Sequence, residues 1–135
     1  MKKSAITNAE NYTMKKTILI VEDFDYIRNL TGRYFEMNGY QVISAGNLHE
    51  ASAIGAHEKP KLIIADFDIS NDPYVIAALL HSILPESRIV MIDGRAGNCN
   101  EEAAAKAGVS AVLARSFSPA ILEDVLHAGK VHAHA

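Results

Sequence analysis

The sequence predicts an α/β fold, in which helices cover both faces of a doubly wound, five-stranded parallel sheet. Strand-like and helix-like segments alternate five times along the chain with short connections, a pattern typical of parallel sheets. Two of the strand-like segments, within residues 18–23 and 62–66, are unbroken apolar runs that end in carboxylates. Such runs are typical of strands buried on both faces, and this fold places ligands at the carboxyl ends of its strands.

Each predicted strand is a short apolar run bounded by turn-forming residues. The predicted strands cover, in chain order, about residues 17–21, 40–44, 61–65, 88–92 and 109–113. Gly39 and Pro60 immediately precede the second and third strands, and Gly108 precedes the fifth. These residues mark the turns that separate each strand from the helix before it.

The predicted helices rest on capping residues and on apolar residues at helical spacing. They cover about residues 25–38, 48–57, 72–82, 100–107 and a segment that starts at 118. Asn47 and Asp72 are residue types that cap helix N-termini, and Pro73 suits a first helical turn. In the last segment, Ile121 and Val125 lie four residues apart, which predicts an inward-facing stripe.

Composition limits the classes of protein that fit. The 135 residues are 49% apolar, enough for the core of one domain, and no apolar run approaches the ~20 residues of a membrane span. Thirteen basic and sixteen acidic residues give a net charge of −3, which offers no reason to expect nucleic-acid binding. The single cysteine, Cys99, excludes an internal disulfide and fits a reducing compartment. We therefore expect a cytoplasmic domain without a membrane or nucleic-acid partner.

Three acidic side chains lie at the ends of two predicted strands. Glu22 and Asp23 follow the first strand, and Asp66 follows the third. If these strands are neighbours in one parallel sheet, the three carboxylates converge at one edge. The sequence therefore predicts an acidic pocket at the carboxyl end of the sheet.

These segments resemble the receiver domain of two-component response regulators, and the resemblance covers about residues 17–128. It rests on residues 18–23 (ILIVED), 62–66 (LIIAD) and 106–111 (KAGVSA). It implies a flavodoxin-like sheet with strand order 2-1-3-4-5. We expect a receiver domain at 16–128, between a disordered N-terminal extension at 1–15 and a flexible tail at 129–135.

Carried over by position, the resemblance implies that Asp66 accepts a phosphoryl group from a histidine kinase or phosphotransfer protein. Mg²⁺ (or Mn²⁺) would be held by Asp23, Asp66, the backbone carbonyl of Asp68 and, through a water, Glu22. A cation is needed because a carboxylate and a phosphoryl group repel each other. Such a domain is a signalling module that assists its own phosphoryl transfer and hydrolysis, not an enzyme of the usual kind. It would be a monomer or weak homodimer that binds a downstream protein through its fourth helix, fifth strand and fifth helix.

The sequence departs from the family at the positions that change state on phosphorylation. Asp93 stands where the family usually has Thr or Ser, and Arg115 stands where it has Lys. Val112 takes the place of the aromatic switch residue, and Tyr74 that of a usual glycine. Two like charges about 4 Å apart repel by about 4 kcal/mol at an effective dielectric of about 20. An inward-facing Asp93 would therefore oppose a phosphoryl group, unless Arg115 pairs with it.

Two alternatives remain open at this point. A degenerate receiver, fixed in one conformation by an Asp93–Arg115 pair, would act as a phosphorylation-independent interaction module. A flavodoxin-like enzyme or small-ligand binder fits less well, because a flavin site needs a phosphate-cradling loop after the first strand, where Glu22 and Asp23 would repel phosphate. The loop at 94–98 lacks the order of a nucleotide-binding motif, so we predict no organic cofactor. The sequence does not say whether the chain is part of a longer protein.

Overall fold

The fold is described from a computed structural model, in which residues 16–66, 72–93, 100–114, 120 and 124–125 are described. The strands are β1 (Thr17–Val21), β2 (Gln41–Ala45), β3 (Leu62–Asp66), β4 (Arg88–Asp93) and β5 (Ala111–Ala114). The helices are α1 (Asp25–Met37), α2 (Leu48–Glu58), α3 (Pro73–Ile83) and α4 (Glu101–Lys106). These elements match the predicted ones to within two residues. Most of the predicted fifth helix lies outside the described residues, although residues 120, 124 and 125 are helical.

The five strands form one parallel sheet in the order β2-β1-β3-β4-β5, so the predicted fold class and strand order are confirmed. The order reverses between β1 and β3, which is the kind of position where open α/β sheets bind ligands. Val21 of β1 is paired with Ala65 of β3. The next residue along each strand, Glu22 and Asp66, therefore lies at the same edge of the sheet.

The core consists of two apolar clusters, one on each face of the sheet. On one face, Leu19 and Ile63 pack with Leu80 of α3. On the other, Ile20 packs with Phe35 of α1 and with Val125. All five residues of β3 are buried, as expected for a strand covered on both sides. This packing confirms that helices cover both faces.

Capping side chains define where the helices begin. The Asn47 side chain accepts a hydrogen bond from the Glu50 N–H (2.9 Å), and Asp72 accepts from the N–H of Tyr74 at 3.1 Å. Both predicted caps are therefore confirmed. Among the described residues, no helix has the length and apolar character needed to cross a lipid bilayer.

Candidate functional site at the acidic edge of the sheet

Glu22 is held in place from three directions immediately after β1. Its backbone N–H donates to the Ala45 carbonyl (3.0 Å), which continues the pairing of β1 with β2. Its carbonyl accepts from Nη1 of Arg28 at 2.7 Å, and its Oε2 accepts from the Phe24 N–H at 3.1 Å. The side chain is only 7% exposed. The chain thus fixes the direction in which this carboxyl group points.

Asp66 lies beside this carboxyl group, at the end of β3, and is 8% exposed. Glu22 and Asp66 line the same small cavity of about 20 Å³, together with Thr31 of α1. The side chains of Asp66 and Asp23 both lie close enough to the Glu22 carboxyl to change its proton affinity. The structure therefore brings together the three acidic residues that the sequence placed at this edge, with Glu22 between the other two.

The crowding of carboxylates changes the acidity of Glu22. Burial, followed by the hydrogen bond with Asp66, raises the pKa of Glu22 to about 7. The charge of Asp66 and the hydrogen bond with Asp23 act in the same direction, whereas the Phe24 N–H lowers this pKa. A group so placed is stabilised by a proton or by a cation. At neutral pH, the binding of a cation near these carboxyl groups is therefore favourable.

The donor set fits Mg²⁺, which prefers carboxylate and carbonyl oxygens. Within the described part of the chain, no group of three or more His, Cys, Asp or Glu side chains is arranged to hold a metal ion. Mg²⁺ does not need such a cage, because it usually keeps several waters and binds one or two carboxylates together with phosphate oxygens. The predicted carbonyl ligand, Asp68, lies outside the described residues, so its role stays a prediction.

Asp93 ends β4 at the same edge of the sheet. Asp66 is paired with Ile92, so Asp93 lies one residue further along the neighbouring strand. It is 6% exposed, which is unlike a solvated loop acid. Val112, at the position of the family's aromatic residue, is buried in the apolar cluster on the α3 face. Arg115, the predicted partner of Asp93, lies outside the described residues.

A contact that sequence reasoning missed joins the starts of α3 and α4. The Tyr74 hydroxyl accepts a hydrogen bond from the backbone N–H of Asn100 (2.7 Å). Asn100 is the N-cap of α4, where its side chain accepts from the Ala103 N–H at 3.0 Å. These helices follow the strands that end in Asp66 and Asp93. The only sequence signal for this contact is a tyrosine where the family usually has glycine.

A match to a known family agrees with this geometry. The family profile of the response regulator receiver domain matches residues 18–127. This chain belongs to that family. It is 29% identical over 107 residues to the phosphate regulon transcriptional regulatory protein PhoB of Pseudomonas aeruginosa, covering 77% of this chain and 47% of PhoB. The receiver chain thus spans about half the length of the curated relatives it matches.

Solved receiver structures share the fold. A response regulator from Burkholderia pseudomallei, solved with a phosphorylated aspartic acid, a calcium ion and citrate, is 27% identical with a TM-score of 0.72. That match covers 84% of this chain and 67% of the other. A CheY-like receiver domain protein from Methanospirillum hungatei is 26% identical, with a TM-score of 0.69 and coverage of 82% and 89%. The resemblance inferred from the sequence is therefore confirmed, and the chain is a receiver domain of the two-component type.

Proposed function

We propose that this receiver accepts a phosphoryl group on Asp66 from a histidine kinase or phosphotransfer protein, with Mg²⁺ bound at the acidic edge. The observation that carries the proposal is the buried Asp66 in contact with Glu22, which in turn contacts Asp23. Phosphorylation on aspartate is general for the family. The phosphorylated domain then signals by binding a protein partner differently.

In the transfer step, a carboxylate oxygen of Asp66 attacks the phosphorus atom of a phosphohistidine. A new P–O bond forms while the P–N bond breaks, and the electron pair of that bond goes to the imidazole nitrogen, which takes up a proton. Asp23, Asp66 and the Asp68 carbonyl would hold Mg²⁺, with Glu22 acting through a water. When bound, the cation neutralises the negative charge that the carboxylate and the phosphoryl oxygens would otherwise bring together.

The residues around Glu22 prepare the site before the donor arrives. Because Arg28 and Phe24 fix the backbone and carboxyl of Glu22, this acid does not have to be reoriented when a cation binds. The raised pKa of Glu22 is a separate argument for a cation, since a cation offsets the desolvation cost of burial and the repulsion by Asp66. We therefore expect cation binding to compete with protonation of Glu22.

Two further residues complete the proposed site. Arg115 takes the role of the usual lysine and contacts a phosphoryl oxygen, for which its planar fork is suited. Asp93 replaces a hydroxyl donor with a negative charge and so weakens the hold on the phosphoryl group. We propose that the receiver domain covers 16–128 and works in the cytoplasm, as the single cysteine suggests. It would contact its target through α4, β5 and the predicted fifth helix.

The test is intact-mass measurement after incubation with acetyl phosphate and Mg²⁺, beside an ordinary receiver as a positive control. One added phosphoryl group on this chain, dependent on Mg²⁺, is the expected result. No addition under conditions that label the control would overturn the proposal.

The burial of Asp93 at the same edge favours one alternative, a degenerate receiver that binds its partner without phosphorylation. The variant Asp93→Thr discriminates between the two functions. If wild type and Asp93→Thr are both labelled, the transfer function holds, and the variant should keep its phosphoryl group several-fold longer. If only the variant is labelled, Asp93 has disabled transfer and the alternative is correct.

A further inference from the structure

The outer face of α3 is apolar and carries no charge. The helix reads PYVIAALLHSI, without Asp, Glu, Lys or Arg. Its inner side packs on the sheet through Ala77 and Leu80, yet Val75, Leu79 and Ile83 are 50%, 42% and 43% exposed. A helix that is apolar all round is normally covered on all sides. The outer face of α3 is therefore a candidate interaction surface.

The other helices do not share this property. On α1, the exposed apolar residues alternate with the charged residues Arg33 and Glu36. On α2, the exposed residues include Glu50 and Glu58. The exposed polar residues of α3 are His81 and Ser82 alone. An uncharged surface can be desolvated at low cost, which is typical of the centre of an interface.

The position of α3 makes its face accessible to a large partner. The helix lies between α2 and α4, and it touches both closely. Leu84 follows α3 and packs against Gly55 of α2, and His81 packs against Gly108 after α4. The outer face of α3 therefore lies at the centre of the surface that α2, α3 and α4 form.

We propose that this face binds the same face of a second copy of the chain, with the two α3 helices antiparallel about a two-fold axis at Leu79. The three exposed residues are four positions apart and form one ridge of the kind that interlocks when two helices cross at about −50°. Leu79 is the midpoint of the ridge. A two-fold axis there places Leu79 against its own counterpart and Val75 against Ile83 of the second copy.

The charges at the two ends of α3 suit this antiparallel arrangement. The exposed Asp72 precedes the helix. At the other end, a groove of about 460 Å³ beside Ile83 is lined by Lys59, Lys61 and one acid, Glu86. This end is net basic, so each copy presents an acidic end to a basic one. Antiparallel helix dipoles add to the attraction.

The small apolar area of the ridge limits the affinity of the proposed dimer. Three half-exposed aliphatic side chains cover far less than the ~800 Å² per partner that stable interfaces bury. The dimer is therefore weak and forms as the protein concentration rises. Self-association does not depend on phosphoryl transfer, because none of the ridge residues belongs to the proposed phosphorylation site and the tests below use unphosphorylated protein.

The first test is sedimentation of the wild type over a wide concentration range, with the variants Leu79→Glu and Leu30→Glu. Leu79→Glu brings two carboxylates together on the axis and should weaken self-association at least tenfold. Leu30, 48% exposed on α1 across the sheet, is the matched control and should have no effect. A wild type that stays monomeric throughout, or a loss of dimer in Leu30→Glu but not in Leu79→Glu, would overturn the proposal.

The second test fixes the register by cross-linking and does not depend on a charged substitution. In a Cys99→Ser background, Leu79→Cys should form a disulfide-linked dimer on mild oxidation. Val75→Cys alone should stay monomeric, and it should cross-link when mixed with Ile83→Cys. Equal cross-linking of Val75→Cys and Leu79→Cys, or none with Leu79→Cys, would show that the two-fold pairing is wrong.

Discussion

The two halves of the acidic edge differ in how they relate to the receiver family. In the half formed by β1 and β3, Glu22, Asp23 and Asp66 stand where the resemblance to the family places its acidic residues, and Glu22 interacts with each of the other two. In the half formed by β4 and β5, Asp93 and Val112 replace the family's hydroxyl and aromatic residues, and both are buried. The difference teaches that the two halves of the edge can vary independently: the acidic residues are kept where the hydroxyl and aromatic residues are replaced. If Asp66 accepts a phosphoryl group as we propose, the second half cannot report that event through the family's usual hydroxyl and aromatic residues.

The largest expected effect would come from removing the acceptor in the first half. Asp66→Asn keeps the size of the side chain but cannot form the acyl phosphate, so we expect complete loss of Mg²⁺-dependent labelling. Intact mass after acetyl phosphate treatment measures it. Labelling that survives in Asp66→Asn would show that another carboxylate, such as Asp93, is the acceptor.

The next effect concerns the stability of the metal-free protein. The folded state raises the pKa of Glu22 from 4.5 to about 7, so between these pH values the folded state holds more protons than the unfolded state. The free energy of unfolding therefore falls as pH rises through this window, by on the order of 3 kcal/mol.

Urea unfolding at several pH values measures this dependence, with Glu22→Gln as the control. The wild type should lose stability relative to Glu22→Gln between pH 4.5 and 7, and saturating Mg²⁺ should abolish that difference. Parallel pH profiles for the two proteins without metal would contradict the assignment.

A smaller effect is expected on the affinity of the protein for Mg²⁺. Asp23→Asn removes one charged ligand and should weaken Mg²⁺ binding about tenfold or more, measured by calorimetric titration. Glu36→Gln, an exposed acid on α1, removes the same charge away from the site and should leave the affinity unchanged. Equal losses in the two variants would mean that only net charge matters.

The smallest expected effect concerns the hydrogen bond that joins the starts of α3 and α4. Tyr74→Phe removes the hydroxyl that accepts from the Asn100 N–H, so it should cost about 1 kcal/mol of stability. Thermal unfolding measures this loss. The amide chemical shifts of α4 are compared before and after beryllofluoride binds at Asp66. A change in these shifts shows that α4 still responds to the acceptor. An α4 response identical to that of the wild type would show that the bond has no part in reporting.

The sequence predicted the fold well because strand and helix patterns, caps and turns all agree along the chain. It predicted the convergence of Glu22 and Asp66 because the carboxyl ends of parallel strands meet at one edge. It could not predict the burial of Asp93, since a residue at a strand end can turn inward or outward. Nor could it predict the Tyr74–Asn100 bond, because that contact depends on the approach of two helices whose contacting residues are 26 apart in the chain. The strand order itself came from the family resemblance.

The Arg28 side chain connects α1 to the acidic edge of the sheet. Its guanidinium bonds the Glu22 carbonyl through one nitrogen and the Asp25 carboxylate through the other. We expect a partner that displaces α1 to displace the main chain of Glu22 as well, because the Arg28–Glu22 hydrogen bond joins them. The cation affinity of the acidic edge would then respond to binding at α1, a helix that contributes no ligand to the proposed cation site.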